Sequence, residues 1–518
     1  MAIAIDKNEV PTNAVPELGL SQPTREIKPA PDRWRNSLGK YRVWRNDSAC
    51  IKCGKCQEIC PRGVHVRPEG YVDFVKGLDW RCTAETCKAN GTYCVDACPK
   101  KALRIEVLPL YKSMGDFRWT ADLILSTWHM ASTGEVPDGE LNHKTGNSGG
   151  GFDKIDFIFP ENGPRTNPNE ITTAIELNRR NDGRPNITID IPVYGGGMSF
   201  GSVSPHTILS KARAATAWNT FSCTGEGGYI ERLFPYKDNM ITQVATGLFG
   251  VREETIQMAP IVEFKYAQGA KPGLGGHLLG DKNTPAVAAM REAMPGTSLF
   301  SPFPFHSVYS VEDHKKHVDW IKHINPRALV SCKVSTPIDV DMVAVGSFYA
   351  GANIVHLDGS YGGTGAAPDI AKKNIAMPIE YAIPKVARFL VAEGIRDQVT
   401  LIVSGGIRTA YDMAKAIALG ADGVVIGTPE MVALGCIRCG KCESGKGCAR
   451  GIATTDPVMV AKMTTEWGTQ RIINMLAAWR TQLVEILSRF NMSDVSELRG
   501  RTDLLTHLDY ERSEANDR

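Results

Sequence analysis

Between residues 186 and 430 two textures alternate along the chain. Short runs of β-branched and other apolar residues recur at Ile187–Val193, Ile261–Tyr266, Leu329–Val334, Ile354–Leu357, Thr400–Val403 and Gly423–Ile426. Each gives way to a Gly-rich turn and then to a longer, Ala-rich stretch such as Ala410–Leu419. A strand that is apolar on both faces must be covered on both, so the alternation predicts parallel βαβ units rather than hairpins. Residues 186–430 have the length of one (β/α)8 barrel, about 250 residues. A doubly wound sheet is the alternative that the pattern leaves open.

The flanks read differently. Residues 1–40 hold five prolines and little periodicity, which predicts an extended or disordered arm. Residues 41–110 form a Cys-rich unit, and 111–185 a helical linker and barrel lead-in. Within that lead-in, Leu123, Ile124 and Trp128 suggest a helix around Phe117–Ser132, and Thr145–Gly151 is a polar, Gly-rich joint. A second Cys-rich loop occupies 431–460. From Thr465 onward, Ile472, Ile473, Met475, Leu476, Leu483, Ile486 and Leu487 fall at helical spacing, predicting C-terminal helices over 461–518.

The 518 residues suffice for two to four domains. Lys plus Arg number 59 against 57 Asp plus Glu, so the net charge is only +2, without the basic excess of a nucleic-acid binder. No apolar run reaches the length of a spanning helix, and the start lacks a basic leader followed by an apolar segment. These features predict a cytoplasmic chain with no membrane role.

The 14 cysteines change the picture, because twelve are clustered. Eight lie between Cys50 and Cys98, four between Cys436 and Cys448, and Cys223 and Cys332 stand alone as expected core residues. In a cytosolic chain such clusters read as metal ligands rather than disulfides. Cys50, Cys53, Cys56 and Cys60-Pro61 reproduce the C-x2-C-x2-C-x3-C-P run of bacterial ferredoxins, whose fourth cysteine ligates the other cluster. That rule requires a second quartet, and Cys82, Cys87, Cys94 and Cys98-Pro99 supply it. The expected ligand sets are therefore Cys50, Cys53, Cys56 and Cys98 for one [4Fe–4S] cluster and Cys82, Cys87, Cys94 and Cys60 for the other. Zinc is the alternative, disfavoured by the two reciprocal C-x3-C-P ends.

Ser404-Gly405-Gly406 and Gly427-Thr428 end the last two apolar runs of the barrel. Glycines there let backbone N–H groups approach a phosphate, and (β/α)8 barrels commonly bind phosphate after strands seven and eight. Ordinary tight turns would read the same way. No G-x-G-x-x-G stands between a strand and a helix, so a Rossmann-bound nicotinamide is not expected. A phosphate-binding barrel with iron–sulfur clusters suggests FMN, fed one electron at a time.

Five segments then carry a resemblance. Val193–Gly201, Thr224–Gly228, Ala267–Gly273, Asp358–Ala366 and Ser404–Gly406, in that order, resemble the FMN-binding synthase domain of glutamate synthase over roughly residues 155–475. With the ferredoxin-like unit in front, the chain resembles the short, archaeal-type form of that family. The resemblance implies condensation of 2-oxoglutarate with ammonia and reduction of the imine by reduced FMN, giving L-glutamate. It implies Lys271 as a substrate-carboxylate partner, Glu226 near the imine nitrogen and Lys333 beside the flavin, where negative charge accumulates on reduction. Gly197, Met198, Ser199, Gly363, Thr364, Gly405, Gly406, Gly427 and Thr428 complete the expected cofactor site. His277 stands where the long enzymes carry Gln, and Leu274 where they carry Glu. His277 remains a candidate carboxylate donor, while the product, glutamate or N-methylglutamate, stays open. Other readings are a different FMN oxidoreductase on the same barrel and a non-catalytic electron relay.

Cys436, Cys442 and Cys448 most nearly match the family's [3Fe–4S] ligands, and Cys439 adds a fourth, making [4Fe–4S] possible. The family's glutaminase uses an N-terminal cysteine, and the first one here is Cys50. Ammonia is thus expected free or from a separate glutaminase chain, electrons from ferredoxin or an NAD(P)H-oxidising flavoprotein, and the chain is expected to form an oligomer.

Overall fold

The computed structural model describes residues 22–33, 39–75, 78–143, 145–273, 276–302, 305–365, 367–443 and 447–509. Eight strands build its centre: β1 Val193–Gly195, β2 Ser222–Cys223, β3 Met240–Ala245, β4 Ile261–Lys265, β5 Leu329–Ser335, β6 Ile354–Asp358, β7 Thr400–Ser404 and β8 Gly423–Ile426. They form one sheet in the order β1-β8-β7-β6-β5-β4-β3-β2. Every ladder in it is parallel. Where β1 meets β2, the Gly195 N–H donates to the Phe221 carbonyl at 2.8 Å. That contact brings the sheet's two ends together, and the result is a (β/α)8 barrel rather than a doubly wound sheet.

The first run of the sequence is split. Thr188–Ile189 pairs antiparallel with Ile175–Glu176, away from the barrel, and β1 begins only at Val193. Pro192 lies between them and has no N–H to donate to a ladder. Helices follow the strands with ordinary capping: Thr409 accepts from the Asp412 N–H at the start of Ala410–Ala418, and Ser204 does the same for Pro205–Ala217.

Outside the barrel, the strand Tyr41–Arg45 pairs antiparallel with Leu103–Val107, enclosing the short helices that carry the N-terminal cysteines. The tail forms a 25-residue helix, Thr465–Arg489, whose Trp479 is completely buried. Residues 22–33 run extended along it. Asn474 donates to the Lys28 carbonyl and Trp467 to that of Pro31, both at 2.8 Å, and the buried Arg471 reaches Ala30 at 2.7 Å. Among the described residues no helix is long and apolar enough to cross a membrane.

The Gly-rich joint is pinned rather than free. The buried Asp153 accepts from the backbone N–H groups of Gly146 and Ser148 at 2.9 and 3.0 Å. It also accepts from Arg408, on the barrel, at 2.8 Å. Beyond it, Ile155–Phe157 pairs with Leu505–His507 from the far end of the chain.

Candidate active site

Alternation along a strand turns Glu263 and Lys265 of β4 to the same side. Glu263 is 2% exposed. Its carboxylate accepts from Gln243 of β3 at 2.7 Å and from Ser331 of β5 at 3.0 Å, and lies 2.9 Å from His356 Nδ1 of β6. His356 Nε2 is 2.8 Å from Ser404 Oγ of β7, which donates to Asp358 at 2.6 Å. Asp358 also accepts from the Gly269 N–H at 3.0 Å and lies 3.4 Å from Lys333 Nζ. Five strands thus share one polar network. Burial opposes ionisation of Glu263, but His356, Lys333 and Gln243 outweigh it and hold the carboxyl at about 2. Burial likewise opposes charge on Lys333, yet Asp358 and Glu263 raise its pKa above the ordinary lysine range. Both ring nitrogens of the buried His356 are thus partnered.

A small pocket is lined by Glu226, Thr246, Lys265, Gln268 and Lys271, among others. Lys265 Nζ lies 2.8 Å from Glu226 Oε2. Burial pushes Glu226 up, but Lys265 and then Lys271 draw it below the ordinary carboxylate range. Lys271 is buried, and that burial, with Lys265 beside it, lowers its pKa. The structure therefore brings Glu226 and Lys271 together. The backbone of His277 pairs with Phe300; its side chain and Leu274 lie outside the described residues.

The glycine loops converge at the strands' C-terminal ends. Gly405 and Gly406 have φ +97° and +82°, and a Cβ on Gly405 would lie 2.5 Å from the Gly359 carbonyl oxygen. Only glycine fits there. A Cβ on Gly363 would overlap Thr428 Oγ1, and one on Gly427 would lie 3.1 Å from the Met198 methyl, so the loops after β1, β6 and β8 touch. Thr364 is the next residue of the loop after β6, and Gly197 faces Cys223 and Gln243. Ser199 accepts from Arg291 at 2.9 Å. The buried Lys211 donates to the Gly196 carbonyl at 2.6 Å and pairs with Glu430 at 3.2 Å, anchoring the loop after β1. Ser335 and Ser360 present buried hydroxyls with no hydrogen-bond partner.

Cys50, Cys53, Cys56 and Cys98 line one cavity, and Cys60, Cys82, Cys87 and Cys94 another. In the third loop, a Cβ on Gly365 would lie 2.7 Å from Cys442 Cβ, so this loop rests against the loop after β6. Arg438 ties the two further, donating to the Gly363 carbonyl at 3.3 Å and to Asp116 at 2.9 Å. Residues 444–446 of the loop lie outside the described residues.

The conserved region of glutamate synthase matches residues 165–493, and a 4Fe-4S dicluster domain matches 42–99. The chain belongs to the glutamate synthase family. The archaeal-type glutamate synthase [NADPH] of Thermotoga maritima is 37% identical over 495 residues, 90% of this chain and 94% of that one. The archaeal glutamate synthase [NADPH] of Archaeoglobus fulgidus is 34% identical with the same coverage of both. The large chain of Azospirillum brasilense glutamate synthase [NADPH] is 36% identical over 316 residues, 60% of this chain but 21% of that one.

For a glutamate synthase chain, the sequence reading misses several residues of the site: Lys265, Gln243, Glu263, Arg291 and the Lys211–Glu430 pair. One signal was available. Glu263 and Lys265 interrupt an otherwise apolar run at alternate positions, and ionisable residues in a strand covered on both faces can only point into a barrel.

Proposed function

We propose that the chain makes L-glutamate from 2-oxoglutarate and ammonia, with FMN in the barrel mouth and electrons arriving through iron–sulfur clusters. The observation that carries this reading is the convergence of Glu226, Lys265 and Lys271 on one pocket at the C-terminal face of a (β/α)8 barrel, where such barrels do their chemistry. When bound, FMN supplies hydride to the imine carbon. Gly197, Met198, Ser199, Gly363, Thr364, Gly405, Gly406, Gly427 and Thr428 would hold it in this reading, and the Lys333 cation would offset negative charge gained on its reduction. The unpartnered Ser335 and Ser360 hydroxyls and the glycine-only cradle fit a polar, phosphate-bearing group.

Lys271 pairs with a substrate carboxylate, a charge-assisted contact strengthened by burial. Glu226, held ionised by Lys265, orients the incoming nitrogen. A carboxylate held below its ordinary range is suited to binding a cationic nitrogen rather than to giving up a proton. A merely electron-relaying barrel has no use for this charge arrangement.

Two [4Fe–4S] clusters occupy the reciprocal cysteine sets in this reading, and a third, four-iron cluster is held by Cys436, Cys439, Cys442 and Cys448. Each N-terminal quartet lines a cavity, and the two reciprocal C-x3-C-P ends favour clusters over zinc. Anaerobic analysis should find about twelve irons per chain, or about eleven if the third cluster has three. A value near eight removes the third cluster, and stoichiometric zinc overturns the assignment.

Nitrogen enters as ammonia, from a separate glutaminase chain or from solution. The two cysteines outside the clusters are poor nucleophiles: both are buried, and burial pushes the Cys223 thiol up to about 12 and that of Cys332 further. Anaerobic turnover with a chemical reductant should therefore yield glutamate from 2-oxoglutarate and ammonium, but not from glutamine. Lack of product with ammonium sinks the proposed reaction, and turnover with glutamine reveals an amide-cleaving site elsewhere in the chain.

A further inference from the structure

A second cavity, of about 480 Å³, shares no lining residue with the pocket of Glu226, Lys265 and Lys271. Small-molecule sites span about 300–1,000 Å³. Its walls come mainly from four parts of the chain: Arg118 and Gly149–Gly151 of the lead-in, Tyr361 of the loop after β6, the start of the helix Ile379–Ala392, and the segment 502–509.

Five titratable side chains line it: Arg118, Lys154, Glu380, His507 and Asp509. Lys154 and Asp509 pair with each other at 2.6 Å. Arg118 and Glu380 are placed differently. A Cβ on Gly151 would lie 3.4 Å from Arg118 Nη1 and 3.6 Å from Glu380 Oε1, so the two groups stand beside the same glycine without an ion pair between them. Arg118 donates from Nη1 to Ser148 at 3.1 Å, and its buried Nε has no partner. Burial raises the Glu380 pKa, and the cations of Arg118 and Arg408 do not offset it. Ile155, Pro378, Tyr381, Leu419 and Leu505 supply an apolar wall. An anion alone would meet Glu380 and a cation alone would meet Arg118. A ligand carrying both charges on neighbouring atoms satisfies the two together.

Arg118 reaches the loop after β6 by two routes. Its guanidinium lies 4.0 Å from the centre of the Tyr361 ring, and Tyr361 sits at φ +66°, a left-handed conformation rare for a bulky residue. The Arg118 N–H donates to Asp116 at 2.9 Å; Asp116 also accepts from Arg438, which donates to the Gly363 carbonyl at 3.3 Å.

We propose that this cavity is a second ligand site that takes an α-amino acid with an apolar side chain, its carboxylate on Arg118 and its ammonium on Glu380, and that occupancy is felt at the loop after β6. The carboxylate draws the guanidinium and alters its hold on Tyr361, two residues before Gly363 of the proposed cofactor cradle. The inference goes beyond the proposed reaction and does not rest on it.

The test is calorimetric titration of the flavin- and cluster-loaded chain with L-phenylalanine, 3-phenylpropionate and phenethylamine, the last two each lacking one charge. L-Phenylalanine should bind once per chain and about tenfold or more tighter than either analogue. Glu380→Gln should weaken L-phenylalanine about tenfold but not 3-phenylpropionate, and Arg118→Met should weaken it about tenfold but not phenethylamine. Lys271→Ala should bind L-phenylalanine as the wild type does. No binding at millimolar concentration, or equal affinity for the three compounds, overturns the site. Binding lost in Lys271→Ala assigns the ligand to the catalytic pocket and overturns it equally. Saturation with L-phenylalanine should also shift the visible flavin spectrum, and Tyr361→Ala should abolish that shift. An unmoved spectrum in the wild type overturns the link to the loop after β6.

Discussion

Replacing Lys271 by Ala should lower kcat/KM for 2-oxoglutarate about 100-fold while the protein keeps its flavin. Lys271 is 6% exposed and shares its pocket with Lys265 and Glu226. A buried, charge-assisted contact to a substrate carboxylate contributes about 2–3 kcal/mol, which is the size of the loss. In the proposed reading Lys271 holds substrate rather than flavin, so flavin stoichiometry, read from visible absorbance, should not change. Loss of flavin in Lys271→Ala would move the residue to the cofactor site. Lys265→Met should act differently. Lys265 is the strongest influence holding Glu226 down, so its removal should raise the Glu226 pKa. Activity that depends on the ionised carboxylate should then fade at a higher pH than in the wild type. An unshifted acid limb would show that Glu226 does not govern the profile.

The barrel was legible because its strands advertise themselves. Leu329–Val334, Ile354–Leu357, Thr400–Val403 and Gly423–Ile426 are mostly apolar, broken within only by Ser331, Lys333 and His356, and all four fall within strands of the sheet. The strands that escaped notice fail that criterion. β2 has two residues, Ser222 and Cys223, and β3 carries Thr242 and Gln243 in its middle. Gln243 belongs to the polar network around Glu263, so the chemistry of the interior is what hides the strand. The same cause hid Lys265, whose partner Glu226 comes from a distant segment of the sequence. Motifs bring out residues adjacent in the chain, whereas a barrel mouth assembles residues from eight separate loops. The cysteine sets were legible for the opposite reason. Their spacing alone pairs each triplet with the other run's last cysteine, and the two cavities are lined in that reciprocal way. What holds the Gly-rich joint was not legible, because Asp153, the residue that pins it, follows the glycines and has its partner on the barrel.

That partner carries the largest expected effect on stability. Arg408 is 2% exposed and pairs with two buried carboxylates, Asp153 and Asp412, while also donating to the Arg118 carbonyl at 3.1 Å. Removing one member of a buried ion cluster strands the others, a cost of about 3–5 kcal/mol. For a protein of this size Arg408→Met should therefore lower the unfolding midpoint of the holoprotein by at least about 5 °C at neutral pH. The pH dependence distinguishes lost charge pairing from lost packing. Burial opposes ionisation of Asp153, but Arg408 and Ser148 hold its pKa down to about 2. A carboxyl depressed in the folded state stabilises above its unfolded pKa of about 4 and loses that contribution as pH falls through the folded value. In Arg408→Met the Asp153 pKa rises, so mild acid can protonate the stranded carboxyl and relieve its cost. The gap between wild type and variant should accordingly narrow between pH 7 and pH 4.5. A gap that stays constant over that range would assign the loss to packing of the arginine side chain and not to its charge.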